Sequence, residues 1–215
     1  MSLPVLLLIE GFVYVVIFGG LSLLRREGLS LRFAIEATLI TLAVSGLTAL
    51  SGYSTHPALF LFLVYLLTMR VRLLVDVGNS FAERKRFDRA EALYLLASRL
   101  WPDSTGKLII QLNRAVMSMQ QGAIDNAIAA LTGILQKAGE GFLGLRHEAA
   151  AHYNLGVAYR RKGLEAQAIR EFNAVLDTWP ASPYARRAGV ALEQQRRKGK
   201  PSASKQEDTR SSNND

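Results

Sequence analysis

Hydrophobic and polar positions divide this chain unevenly, with almost unbroken apolar runs in the first third and helical amphipathic periodicity in the remainder. Leu3 to Leu24 carries one charged side chain, Glu10, and Phe33 to Tyr53 carries one, Glu36. At about 1.5 Å of rise per residue, each run makes a helix of roughly 30 Å, the thickness of a bilayer hydrocarbon core. A third run, Pro57 to Met69, is too short to span alone. Carried on to Val75 it reaches a spanning length by taking in Arg70 and Arg72, whose stems can lie along apolar surface and lift the charge to the interface. The pattern predicts a membrane domain over residues 1–70 with two to three transmembrane helices, at about 3–24, 33–53 and 57–75. No Pro or Gly interrupts Ala58 to Val77, so the third segment is expected to run on, without a break, into the soluble part near Lys85.

Charge gives this domain an orientation. Residues 1–69 hold Glu10, Arg25, Arg26, Glu27, Arg32 and Glu36, which cancel, so the net charge of +8 lies entirely behind them. The loop between the first two runs contains Arg25, Arg26 and Arg32, whereas Ser51 to His56 contains no Lys or Arg. The positive-inside rule then predicts an integral membrane protein of the plasma (inner) membrane, with the amino terminus outside and the basic back half cytoplasmic. In the second run Ala37, Thr41, Ser45 and Ala49 form a small-residue stripe of the kind that lets helices approach closely in lipid. Glu36 follows Arg32 by four residues, as an interfacial helix pair would. Glu10 lies deeper and is read as a contact with a partner membrane protein or, in a rival reading, as part of an ion path.

The back half repeats itself. Leu74-x₂-Val77-Gly78-x₂-Phe81, Ala90-x₃-Tyr94 and Pro102 recur as His152-x₂-Leu155-Gly156-x₂-Tyr159, Ala168-x₃-Phe172 and Pro180, displaced by 78 residues. Small residues at Gly78, Ala90, Gly156 and Ala168 let two helices cross closely, the aromatics fill the space around the crossing, and the prolines end the second helix. This pattern resembles the tetratricopeptide repeat, a helix–turn–helix unit of about 34 residues. Between the two units a divergent one has Gly122, Ala127 and Leu131 in register. Its first helix fits two frames, one on Ala115 with Ser118 in the aromatic place and one on Leu112-Asn113-x₂-Val116.

The resemblance implies an all-α chain: transmembrane helices, then a solenoid of three repeats at about 71–104, 106–141 and 149–182. Ser182-Pro183 starts a capping helix, 183–198, whose Tyr184, Ala188, Ala191 and Leu192 would cover the last repeat. The tail, 199–215, holds no large apolar residue and is expected to be disordered. In this family the first helix of each unit lines a concave protein-binding face. The resemblance therefore implies a groove lined by Asn79, Glu83, Asn113, Tyr153, Asn154, Arg160 and Arg161. A subclass grips a terminal carboxylate with Lys, Arg and Asn; Asn79 and Asn113 match two of its places, but Val75, Ala150 and Asn154 stand where it has basic residues.

Chemistry finds little support. There is no cysteine, which removes thiol catalysis, disulfides and cysteine metal sites. His147-Glu148 lacks the second histidine of a zinc-protease helix, and His152 stands in a packing position. Gly139-Glu140-Gly141-Phe142-Leu143-Gly144 matches a dinucleotide fingerprint but follows a helix rather than a strand, so it reads as a connection. No enzyme activity, metal or cofactor is expected. The basic run Arg186, Arg187, Arg196, Arg197, Lys198 and Lys200 has no interleaved aromatic for base stacking, so anionic lipid or plain solubility is preferred over nucleic acid. The expected function is a membrane-anchored scaffold or adaptor that binds another protein on the cytoplasmic face, in the assembly of a membrane complex. The alternative is a small accessory subunit of a transport or energy-converting complex.

Overall fold

The computed structural model describes residues 2–24, 31–52, 55–138 and 143–199. Arg25, Arg26, the first four residues of the Gly139–Gly144 match, and the tail from Lys200 lie outside them. The described elements are all helical: α1 Leu3–Leu24, α2 Leu31–Ser51, α3 Pro57–Thr68, α4 Arg70–Glu83, α5 Phe87–Arg99, α6 Ser104–Gln120, α7 Ile124–Lys137, α8 Leu145–Arg161, α9 Glu165–Thr178 and α10 Pro183–Gly199.

α1, α2 and α3 pack around Leu7, Tyr14, Phe33, Ala37, Phe60 and Val64. α1 and α2 are each long and apolar enough to cross a membrane. Their contact is close because Gly11 faces Thr41; a Cβ at Gly11 would lie 2.2 Å from the Thr41 hydroxyl oxygen. The small-residue stripe of α2 faces α1 through Ala37, Thr41 and Ser45, and the Ser45 hydroxyl donates to the Pro4 carbonyl at 2.8 Å. The next buried residue along it is Thr48, while Ala49 is exposed. A strict four-residue step gains on the 3.6-residue turn, so the expected stripe drifts off the contact.

The third segment does not form the expected helix over 57–75. α3 ends at Thr68, Met69 departs from helical geometry, and α4 leaves at 70° to α3. The break has no Pro or Gly. The Thr68 hydroxyl bonds back to the Val64 carbonyl at 2.7 Å, a contact that favours bending, and the Arg70 guanidinium reaches the Leu67 carbonyl, an acceptor that a continuing helix would have used. With 12 residues, α3 alone is about 18 Å long, short of a hydrocarbon core.

From α4 onward, helices pair in antiparallel fashion: α4 with α5, α6 with α7, α8 with α9, and α10 against α8 and α9. The crossings need the small residues. A Cβ on Gly78 would meet the Tyr94 ring at 2.6 Å, and one on Gly156 the Phe172 ring at 2.7 Å. Ala115 and Leu131, separated by the same 16 positions, are buried in one core between α6, α7 and α8, which selects the Ala115 frame for the middle pair. The turn inside each pair has one left-handed residue five places before the buried alanine: Lys85 (φ 58°), Gly122 (φ 88°) and Gly163 (φ 79°). Successive pairs are tied by Arg114 to Glu91, by Arg161 Nη1 to the Met119 carbonyl at 2.9 Å, and by Lys162 to Asp125.

Candidate functional site

The site begins with two isolated charges. Glu36 sits in the second turn of α2, and Arg32, one turn earlier, donates to it at 2.7 Å as the sequence spacing suggests. A second arginine completes the arrangement: Arg70 donates from Nη1 to Glu36 Oε2 at 2.8 Å and from Nη2 to Oε1 at 3.3 Å. Arg70 Nε also donates to the Leu100 carbonyl at 3.2 Å. One planar guanidinium thus joins the end of α3, the base of α2 and the loop after α5, a role that needs the fixed fork of donors only arginine carries.

Around this junction lies a cavity of about 290 Å³. Arg32, Phe33 and Glu36 of α2 form one side. Asn79 of α4, Asn113 of α6, and Arg146 and Ala150 of α8 form the concave side of the helix pairs, with Trp101 and Tyr184 at its margins. Asn79 is oriented by Tyr94, whose hydroxyl donates to Asn79 Oδ1 at 2.7 Å. Burial pushes the Tyr94 phenol up to about 12, with the charges of Glu91 and Glu83 adding to the effect. Asn113 turns its amide back to the Ile109 carbonyl at 2.8 Å. Asp103 caps α6 by accepting from the Gly106 N–H at 2.7 Å, which fixes the loop carrying Trp101.

The seven residues expected to line the groove do not converge on one place. Asn79 and Asn113 line the cavity at the junction. Tyr153 and Arg160 line a second, shallower and basic groove between α8 and α10, with Pro183, Arg186, Arg187 and Gln194. Tyr153 packs between Phe172 and Tyr184 with its ring tilted against both, at centroid distances of 5.9 and 5.8 Å, and Arg160 lies 5.7 Å over the Phe172 ring. Glu83, Asn154 and Arg161 line neither. Asn154 bonds to its own helix at the Ala150 carbonyl, and Arg161 is engaged in joining helix pairs. His152, read as a packing residue, hydrogen-bonds through Nδ1 to Glu171 at 2.8 Å. Sequence reasoning missed Arg70, Trp101 and Tyr184. For Arg70 a signal existed: it and Glu36 are opposite charges at the same expected end of apolar segments. Among the described residues, no group of three His, Cys, Asp or Glu side chains is arranged to hold a metal.

Residues 119–183 match the family model described as tetratricopeptide repeat. Among solved structures, the N-terminal domain of stress-induced protein-1 (STI-1) from C. elegans is similar at a TM-score of 0.45 and 18% identity, over 58% of this chain and 95% of that one. No curated protein matches. The matched segment runs from the end of α6 to the start of α10, where glycine, alanine and aromatic residues make the same crossing as in α4 and α5, and residues 119–183 of the chain carry the tetratricopeptide repeat.

Proposed function

We propose that this protein is a membrane-anchored scaffold, held by α1 and α2, whose repeat face receives a segment of another protein at the bilayer surface. The observation that carries this reading is that the cavity is shared: α2 supplies Arg32, Phe33 and Glu36, while the repeats supply Asn79, Asn113 and Arg146. Stacked helix pairs present their concave face for binding proteins, and here that face is closed at one end by the base of an apolar helix. The exposed apolar side chains of α1 and α2, among them Phe12, Val16, Leu39 and Leu47, suit lipid rather than water. The arginines near the α1–α2 connection support a cytoplasmic location for the repeats. Assembly of a membrane complex is the role that this placement suits. Glu36 is engaged by two arginines, which favours a structural part for it over an ion relay.

Photocrosslinking tests the reading. A benzophenone side chain placed at Asn113, on the cavity, is expected to give a discrete protein adduct in native membranes, and one at Gln136, exposed on α7, none. Equal adducts from both positions, or none from either, contradict it.

A further inference from the structure

Trp101 and Trp179 hold the same place in two helix pairs, 78 residues apart, each just before the proline that closes its unit. Their surroundings differ. Trp179 is extended (φ −154°) and packs with Phe172, Val175 and the α10 residues Ala185 and Ala188. Trp101 is 79% exposed and left-handed (φ 48°), a conformation uncommon for a bulky side chain. The Leu100 carbonyl beside it is held by Arg70 Nε, and the same guanidinium is bound to Glu36.

That linkage sets a depth. Glu36 is five residues from the start of α2 and fifteen from Ser51 at its far end. At about 1.5 Å per residue it lies roughly 8 Å from one end and roughly 22 Å from the other, so by the measure of α2 the Arg70 junction is nearer one boundary than the other of a core about 30 Å thick. On α1 the junction is approached by Tyr14, whose hydroxyl lies 2.6 Å from Thr68 Oγ1, two residues before Arg70; Tyr14 is ten residues, roughly 15 Å, from Leu24, so α1 reaches farther past the junction than α2 does. α1 continues past Tyr14 with Ile17, Leu21 and Leu24 exposed, so its apolar surface extends beyond the junction. Tryptophan concentrates at such boundaries, where its ring is apolar and its N–H remains hydrated.

We propose that Trp101 is an interfacial anchor, its indole seated among the headgroups and upper acyl chains of the bilayer that α1 and α2 cross. This rests on the membrane-anchored reading given above. Arg70 then positions the first helix pair in depth, while Trp101 supplies the lipid contact. Lipid is favoured over a protein segment because apolar α1 surface lies exposed at and beyond the level of the junction.

The test uses the full chain carrying Trp179→Phe, in vesicles of phosphatidylcholine and phosphatidylglycerol, with bromine placed high or low on the acyl chains. Trp101 emission should be quenched more by the high bromine than the low. Its quenching by aqueous acrylamide should be several-fold weaker than that of a reporter at the exposed Gln120 in a chain lacking both native tryptophans. The difference in emission between the native chain and Trp101→Phe gives the same reading with Trp179 retained. Full acrylamide access with no response to bromine overturns the inference, and so does shielding that appears only when another protein is added. Flotation of the chain with the vesicles separates the two claims: a chain that floats but leaves Trp101 solvated refutes the anchor alone, and one that does not float refutes both.

Discussion

Arg70 and Glu36, 34 positions apart in sequence, meet through two hydrogen bonds of 2.8 and 3.3 Å and join the repeats to the base of α2. Both side chains are about three-quarters buried, at 24% and 25% exposure. Such a pair is costly to break from one side, because the remaining charge loses its partner. Glu36→Gln and Arg70→Met should each lower stability by about 2 kcal/mol, and the double variant should lose less than their sum by about 1 kcal/mol or more. Denaturant unfolding in detergent micelles measures this cycle. Strict additivity would show that the two residues act independently.

The α1–α2 contact depends on the missing side chain at Gly11. A methyl there would lie within 2.8 Å of three atoms of Thr41, a short side chain with little room to move. Gly11→Ala is expected to cost about 1–3 kcal/mol by overpacking. Gly46→Ala, on the open side of α2, meets nothing within 4 Å and should stay within about 0.5 kcal/mol of the parent. Equal effects at the two glycines would contradict the packing described.

Lys85 occupies a left-handed position that Gly122 and Gly163 hold in the other two pairs. A side chain there costs about 1 kcal/mol, part of which glycine returns as unfolded-chain entropy. Lys85→Gly should therefore stabilise the protein by about 0.5 kcal/mol and raise its melting temperature by a few degrees. A drop in melting temperature would mean that the lysine side chain contributes a contact that outweighs its backbone strain.

Tyr94 makes stability pH-dependent at the alkaline end. Its phenol is pushed up from 10.0 to about 12 in the folded protein, so the unfolded chain loses its proton first. The stabilisation is fully present below about pH 10 and is lost as pH rises from there toward 12. Tyr94→Phe should start less stable at neutral pH, because Asn79 loses its donor, and should then decline less steeply between about pH 9 and 11. Urea midpoints at the two pH values check it; parallel declines for the two proteins would remove Tyr94 as the cause.

Local pattern and long-range capture explain what could be read in advance. The apolar runs of α1 and α2, and the glycine–aromatic crossings at Gly78 and Gly156, are properties of residues close in sequence and of a fixed period, so both were legible. The bend at Met69 was not. Nothing between Ala58 and Val77 breaks a helix by itself; the break is stabilised by Glu36, a residue 34 positions upstream of Arg70. The site suffered similarly. Asn79 and Asn113 lie where the repeat register puts them, but the cavity they share is completed by α2, and no repeat pattern encodes that meeting. Trp101 and Trp179 read alike in sequence and differ only in what lies beside them.

The central claim, that apolar helices cross a bilayer and hold the repeats on its cytoplasmic side, is tested most directly by cysteine labelling, which the absence of native cysteine makes unambiguous. His56→Cys and Gln120→Cys place single thiols at exposed positions, before α3 and at the end of α6. In intact cells a membrane-impermeant maleimide should label the first and reach the second only after permeabilisation, with both proteins resisting alkaline extraction from membranes. Labelling at Gln120→Cys in intact cells, or release of the chain by alkali, would contradict the account.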